Sequence, residues 1–213
     1  MNHSKVHLPI GNLEIEQLTG GHPVTDAAAY LQECIIKDTR AEVVSGLELG
    51  SGNGIITLML ALQKPAWTLA GIEIQRKLVD LAEQNALHLT AQVQFIWGDI
   101  CEYKDLFPYR KYSLVYSNPP WTKSGSGIIS PDPARAISRQ EVACTMKDIL
   151  ACLDWCLSPA GTGWLIYPTE RKNELAREVR LTSLEVSNLF EPEENSRYFV
   201  AKLRTKVTEN KWF

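Results

Sequence analysis

The chain has 213 residues, 45% hydrophobic and 22% charged, and its 22 Lys and Arg against 25 Asp and Glu give a formal charge of −3. This composition supports one globular domain with a real core and excludes a disordered chain, a collagen-like chain and a coiled coil. No basic tail announces nucleic acid, no apolar run reaches signal-peptide or bilayer-spanning length, and five scattered cysteines read as reduced thiols; a cytoplasmic protein without membrane association is expected.

Residues 1–26, punctuated by Pro9, Gly11, Gly20, Gly21 and Pro23, read as a short hairpin or flap. Thr25 or Asp26 is placed to cap a helix through AAAYLQECI, whose alanines favour helix. From residue 43 the pattern becomes regular. VVSGLELG reads as a buried strand running into a glycine turn, and NGIITLMLALQ as the helix after it. WTLAGIE is a second strand, and IQRKLVDLAEQNALHL a helix with Leu78, Leu81, Ala82 and Leu89 toward one face. VQFIWGD is a third strand, and KYSLVYSNPP a fourth that two prolines stop.

A polar loop rich in Gly, Ser and Pro follows over residues 122–137, of the length that often carries function. EVACTMKDILACLDWCL then shows a helical stripe of Val142, Met146, Ile149, Leu150, Leu153 and Leu157. TGWLIYP is a fifth strand and RKNELAREVR a polar helix. LTSLEVSNLF and SRYFVAKLRT are two last strands around the acidic turn EPEEN. Alternating strands and helices predict an α/β fold with a mainly parallel sheet covered on both faces, and the final two strands predict an antiparallel pair closing it.

ELGSGNG places Gly50, Gly52 and Gly54 between a strand and a helix, where glycine permits a sharp turn and close approach to a ligand. Glu73 ends the second strand, where a carboxylate can accept both hydroxyls of an adenosine ribose. The spacing departs from G-x-G-x-x-G, which weakens a nicotinamide dehydrogenase reading. Glu48 beside the turn suits a cationic ligand better than a pyrophosphate. Asp99 could accept from the amine of a bound adenine with Ile100 flanking the ring, or simply cap a turn.

NPPW, residues 118–121, is the most specific signal. Two prolines hold the chain stiff and extended. The Asn118 side-chain oxygen and the Pro119 carbonyl can grip both hydrogens of a planar amino group. Drawing on both N–H bonds favours the pyramidal nitrogen that can attack a methyl group. Trp121 offers a face on which a base can stack.

On these motifs the chain resembles the class I S-adenosylmethionine-dependent methyltransferases. It is most similar to the bacterial family that methylates N6 of an adenine in the anticodon loop of valine tRNA. The resemblance runs from about Gly20 to the C-terminus, through ELGSGNGIITLMLA, GIEI, GDI, NPPW and KSGSG…SPDPARAISRQE, the last ending in Arg139 and Glu141. The family more often has tyrosine where Trp121 stands.

The resemblance implies a Rossmann-like fold, a mainly parallel seven-stranded sheet with an antiparallel C-terminal strand and helices on both faces. It implies a single domain over 1–213, with an N-terminal flap and helix (1–42), a core (43–213) and a substrate loop (122–137). S-adenosyl-L-methionine would be the cofactor, bound by Asp26, Glu48, Gly50, Ser51, Gly52, Glu73, Ile74, Asp99, Ile100 and Asn118. Asn118, Pro119, Pro120 and Trp121 would be catalytic, with Trp121, Lys123, Arg135 and Arg139 contacting substrate. The partner would be nucleic acid, specifically tRNA, and transfer would be direct and in-line with no metal or covalent intermediate. Asp26 fits the family's flap aspartate, whereas His22 and Pro23 depart from its usual residues.

Arg171, Lys172 and the C-terminal Lys202, Arg204, Lys206 and Lys211 are further candidates for RNA contact, or plain solvated surface. Cys144, Cys152 and Cys156 lack metal-site spacing and read as core residues of one helix. Other acceptors remain open: guanine N2 of ribosomal RNA, a protein glutamine amide or a small-molecule amine. A non-catalytic cofactor- or RNA-binding module and the oligomeric state also remain open. The glutamine group normally carries a helical domain before the cofactor turn, for which few residues precede Glu48.

Overall fold

The computed structural model describes residues 3–11, 13–18, 26–108, 112–121, 144–194 and 196–207. The chain opens with an antiparallel hairpin of β1 (His3–His7) and β2 (Glu14–Leu18). Then come α1 (Asp26–Asp38), β3 (Ser45–Leu49), α2 (Ile55–Gln63), β4 (Thr68–Glu73), α3 (Arg76–His88) and β5 (Val93–Trp97). A 3-10 turn (Ile100–Glu102), the short α4 (Tyr103–Leu106) and β6 (Tyr112–Ser117) follow. The C-terminal part contains α5 (Met146–Cys156), β7 (Leu157–Pro168), α6 (Lys172–Val179), β8 (Leu184–Phe190) and β9 (Tyr198–Thr205).

Seven strands form one sheet in the order β5-β4-β3-β6-β7-β9-β8. The first five of these neighbours pair in parallel, and β9 is antiparallel to both β7 and β8. The last strand is therefore inserted inside the sheet, and β8, which precedes it in the chain, takes the edge. The expected antiparallel closing pair forms with this order.

Strand residues alternate between two cores because successive side chains leave opposite faces of a sheet. Leu47, Leu49, Ile72, Val115, Leu165 and Ala201 belong to one core, which includes residues of α5 and α6. Leu69, Phe95, Leu114, Tyr116, Trp164, Ile166 and Val200 belong to the other, with residues of α1, α2 and α3. Burial on both faces explains the near-continuous apolar runs of the central strands.

The hairpin docks on the second core through Ile15, which is buried. It is also held by Asn85 of α3. The Asn85 Oδ1 accepts from the Glu16 N–H at 2.8 Å, and its Nδ2 donates to the carbonyls of Glu16 at 2.9 Å and Asn53 at 3.2 Å. One side chain thus ties the hairpin to the glycine turn.

The helix expected over residues 141–157 is shorter. Among the described residues it starts at Met146, where Thr145 and Asp148 form a reciprocal capping box, and ends at Cys156. Cys144 lies before the helix, while Cys152 and Cys156 are fully buried. Leu157 already belongs to β7 and pairs with Tyr112 before a register shift brings Thr162 opposite Leu114. The strand is therefore longer than TGWLIYP. No helix among the described residues is long and apolar enough to cross a membrane.

Candidate active site

The strand order reverses between β3 and β6, and in open α/β sheets ligands bind at the C-terminal strand ends beside such a reversal. The glycine turn follows β3, Glu73 ends β4, Asp99 follows β5, and residues 118–121 follow β6. Backbone and side-chain bonds align these ends. The N–H groups of Gly50 and Ser51 donate to the Ile72 carbonyl at 2.9 and 3.0 Å. The Ser117 hydroxyl donates to the Leu49 carbonyl at 2.6 Å, and the Gly98 N–H to the Glu73 carbonyl at 3.1 Å.

Gly50, Gly52 and Gly54 all have positive φ, at 71°, 56° and 83°. Gly54 is constrained twice, since a Cβ there would lie 2.6 Å from the Phe95 ring. Around Gly50 and Gly52 the situation is opposite: a Cβ at either would meet nothing within 4 Å. Among the described residues the turn therefore has open space in front of it, and Ser51 Oγ, though buried, has no hydrogen-bond partner.

Glu73 is 6% exposed. Its Oε2 accepts from the Gly52 N–H at 3.0 Å and its Oε1 from the Gln75 N–H at 2.9 Å. Burial raises its carboxyl above the ordinary range, against the backbone donors that lower it. The Ile74 N–H and the Gln75 side chain also bear on this carboxylate. Ile74 is exposed next to it. Asp99 caps the 3-10 turn by accepting from the Cys101 N–H at 2.8 Å, and Ile100 is buried. The capping reading of Asp99 is thus realised, with its second carboxylate oxygen outside that bond.

Glu48 faces away from open solvent. Alternation in Leu47, Glu48 and Leu49 sends its side chain under the N-terminal turn of α2. There Oε2 accepts from the Thr57 N–H at 3.1 Å and the Thr57 hydroxyl at 2.5 Å. The Thr57 hydroxyl also bonds Tyr116 Oη at 2.7 Å. Burial pushes the Glu48 carboxyl up to about 8, with Glu73 adding repulsion and the Thr57 donors opposing. A helix N-terminus with unsatisfied N–H groups is a favourable place for such a carboxylate.

At the β6 end Pro119 is buried, and Asn118, Pro120 and Trp121 are half-buried. The Trp121 indole N–H donates to Asn118 Oδ1 at 3.2 Å. Its ring lies 5.9 Å from that of Tyr198, which in turn lies 6.0 Å from Tyr30. Tyr198 is drawn to this edge by pairing with Pro168 at the end of β7. Asp26, the first residue of α1, lies near enough for its charge to raise the Tyr198 hydroxyl, after the larger effect of burial. Tyr30, Tyr116 and Tyr198 carried no local motif and are brought here by tertiary packing; Thr57 lies within ELGSGNGIITLMLA but was not singled out there.

Of the further basic candidates Arg171 is buried, whereas the others described lie at or near the surface with partners of their own. Arg171 is 3% exposed, forms two bonds to Glu174 at 2.9 and 3.1 Å, and covers the Tyr167 ring at 4.9 Å. It is a buried structural cation and not an open phosphate contact, because one helical turn supplies its carboxylate. Lys172 pairs with Glu191, Lys202 with Asp38, and Arg204 with Glu185. Lys206 donates to the Thr182 carbonyl at 2.7 Å. Lys123, Arg135, Arg139, Glu141, Val142, His22, Pro23, Thr25, Lys211 and the loop 122–137 lie outside the described residues.

The model of the methyltransferase small domain family matches residues 22–131. A curated relative in Porphyromonas gingivalis, a tRNA1(Val) (adenine(37)-N6)-methyltransferase, is 32% identical over 133 residues, 61% of this chain and 51% of that protein. A release factor glutamine methyltransferase of Streptococcus pneumoniae is 28% identical over 117 residues, 52% of this chain and 40% of that one. The chain thus spans about half the length of the curated relatives it matches. Among solved structures, the T. thermophilus 16S rRNA N2 G1207 methyltransferase, in complex with AdoMet and guanosine, superposes with a TM-score of 0.67. It is 16% identical and covers 96% of this chain and 50% of that one. The likeness establishes a shared fold, Rossmann-like with a mainly parallel seven-stranded sheet. With more than half its length matched by the family model, over the segment that contains the glycine turn, Glu73, Asp99 and residues 118–121, the chain belongs to the methyltransferase small domain family.

Proposed function

We propose that this protein transfers a methyl group from S-adenosylmethionine to an exocyclic amino nitrogen, N6 of an adenine in tRNA. The observation that carries the reading is the pairing, across the β3–β6 reversal, of an open glycine turn braced by Glu73 with an acceptor group at Asn118 and Pro119.

The residues present fit the cofactor. Among the described residues there is free space before Gly50 and Gly52 and Ser51 Oγ has no hydrogen-bond partner, and Glu73 holds a carboxylate at the β4 end, a group suited to ribose hydroxyls. In this reading Gly50, Ser51, Gly52, Glu73, Ile74, Asp99 and Ile100 hold S-adenosylmethionine, which supplies an electrophilic sulfonium methyl group. Glu48 supports the turn from behind, through Thr57. Asp26 stands at the entrance beside Tyr198.

Asn118 Oδ1 and the Pro119 carbonyl accept the two amine hydrogens and orient the nitrogen lone pair toward the methyl. Pro120 keeps the segment rigid, and Trp121 bounds the space for the base. Catalysis is then chiefly positioning and electrostatic stabilisation of an amine becoming cationic. Lys123, Arg135 and Arg139 are the proposed RNA contacts, and the similarity to the tRNA adenine methyltransferase supports tRNA as the partner. An unpaired loop adenine is the base most cheaply turned outward.

The test is transfer from labelled S-adenosylmethionine to separate tRNA, ribosomal RNA and protein pools, with the product identified by mass. N6-methyladenosine in tRNA is expected. Label at guanine N2 of ribosomal RNA or at a protein glutamine would keep the amine chemistry and replace the substrate. Asn118→Ala should retain cofactor binding and lose at least about 100-fold in turnover; unchanged turnover would remove Asn118 from catalysis.

A further inference from the structure

We infer that Trp121 is a positioning residue whose indole N–H fixes which end of the Asn118 amide is presented to the substrate. This rests on the reading that Asn118 accepts from the target amine.

The Asn side chain has an acceptor end and a donor end that exchange by a half-turn about its last bond, whereas the indole nitrogen can only donate. The Trp121 N–H lies 3.2 Å from the end occupied by Oδ1. With the amino group turned there, two donors would face each other. The indole therefore selects the amide orientation in which the oxygen sits beside it. A carbonyl oxygen has two lone pairs, so one remains for an amine hydrogen. In the other orientation Asn118 would confront an aromatic amine with N–H against N–H, and the grip on the nucleophile would be lost.

The selecting group must itself be held, and it is. The Trp121 ring packs 5.9 Å from Tyr198 and contributes to the apolar cluster on the α1–α3 side of the sheet. Its carbonyl accepts from Arg171 Nη1 at 3.5 Å. Arg171 is in turn clamped by Glu174 and seated on the Tyr167 ring. The orientation of Asn118 is thus referred, through Trp121, to the ends of β7 and β9. Stacking of a base on the ring would need only an aromatic face. Orientation of the amide needs the ring nitrogen, and the two roles can be separated.

Trp121→Phe keeps an aromatic face and removes the donor. With the pool that takes label, kcat is expected to fall roughly tenfold. The apparent KM for RNA and the cofactor Kd should stay within about twofold of the parent. An unchanged or faster kcat would overturn the inference, the faster case meaning that the indole blocks the oxygen.

A second measurement is independent of any substrate. The Trp121 indole N–H resonance, identified by its loss in Trp121→Phe, should shift and exchange faster with solvent in Asn118→Ala. A resonance that neither moves nor exchanges faster would also overturn it. If Asn118→Ala abolishes turnover while Trp121→Phe does not, the positioning role fails and the proposed function stands. If Asn118→Ala is fully active, the function fails first.

Discussion

Glu48 is a carboxylate held among apolar strands, and burial of its charge is costly unless donors meet it. Thr57 supplies two, yet the carboxyl is still raised to about 8 from an ordinary 4.5. The consequence for stability has a definite sign. Below about pH 4.5 the group is protonated in both folded and unfolded chains and its contribution is complete. Between there and about 8 the unfolded chain releases a proton that the folded one keeps, so stability falls as pH rises through that window. Glu48→Gln, neutral throughout, should lack this slope. The Tm difference between the cofactor-free proteins should move in favour of Gln from pH 5 to 8 and level off above it. Parallel Tm profiles would mean that Glu48 is ionised when folded. A carboxylate next to a glycine turn was legible in the sequence; its engagement with Thr57 and Tyr116 was not, because that depends on which face of β3 covers α2 and on β6 lying beside β3.

At the scale of elements, the start of α5 depends on a local device. Thr145 and Asp148 satisfy one another's backbone N–H groups by bonds of 3.4 and 2.9 Å. Thr145→Ala should cost about 1 kcal/mol and lower Tm by roughly 2–4 °C, with little change in cofactor affinity; a full retention of Tm would show that the cap contributes nothing. The apolar stripe of this helix was readable from Met146 to Leu153, because periodicity reports the buried face. Its limits were not. The stripe includes Leu157, which is buried equally well as the first residue of β7. The basic residues of the last third followed a similar course. Lys and Arg were visible as charges, but Lys202 and Arg204 each face a carboxylate that only the folded chain brings near, and Arg171, whose partner Glu174 is three residues away, is buried over Tyr167.

For the whole molecule, the strand order creates, beside the β3–β6 reversal, a crevice at which described residues far apart in sequence meet. If that crevice binds S-adenosylmethionine, saturation at about 100 times Kd should stabilise the fold by about 2.7 kcal/mol, or roughly 5–10 °C in Tm for a chain of this size. NAD at the same concentration should shift Tm by no more than the error, since the turn lacks the third glycine of the dinucleotide pattern. The reverse result would reinstate a dehydrogenase-like reading.

The sequence by itself determined the alternation of strands and helices, the glycine turn, the acidic end of β4 and the NPPW segment, because each is written in local backbone preference and hydrophobic period. Insertion of β9 between β7 and β8, the aromatic group of Trp121, Tyr198 and Tyr30, and the burial of Arg171 were decided by tertiary structure. Strand order is set by competition among long-range packings of similar local pattern, and a polar side chain's partner exists only after that competition is resolved.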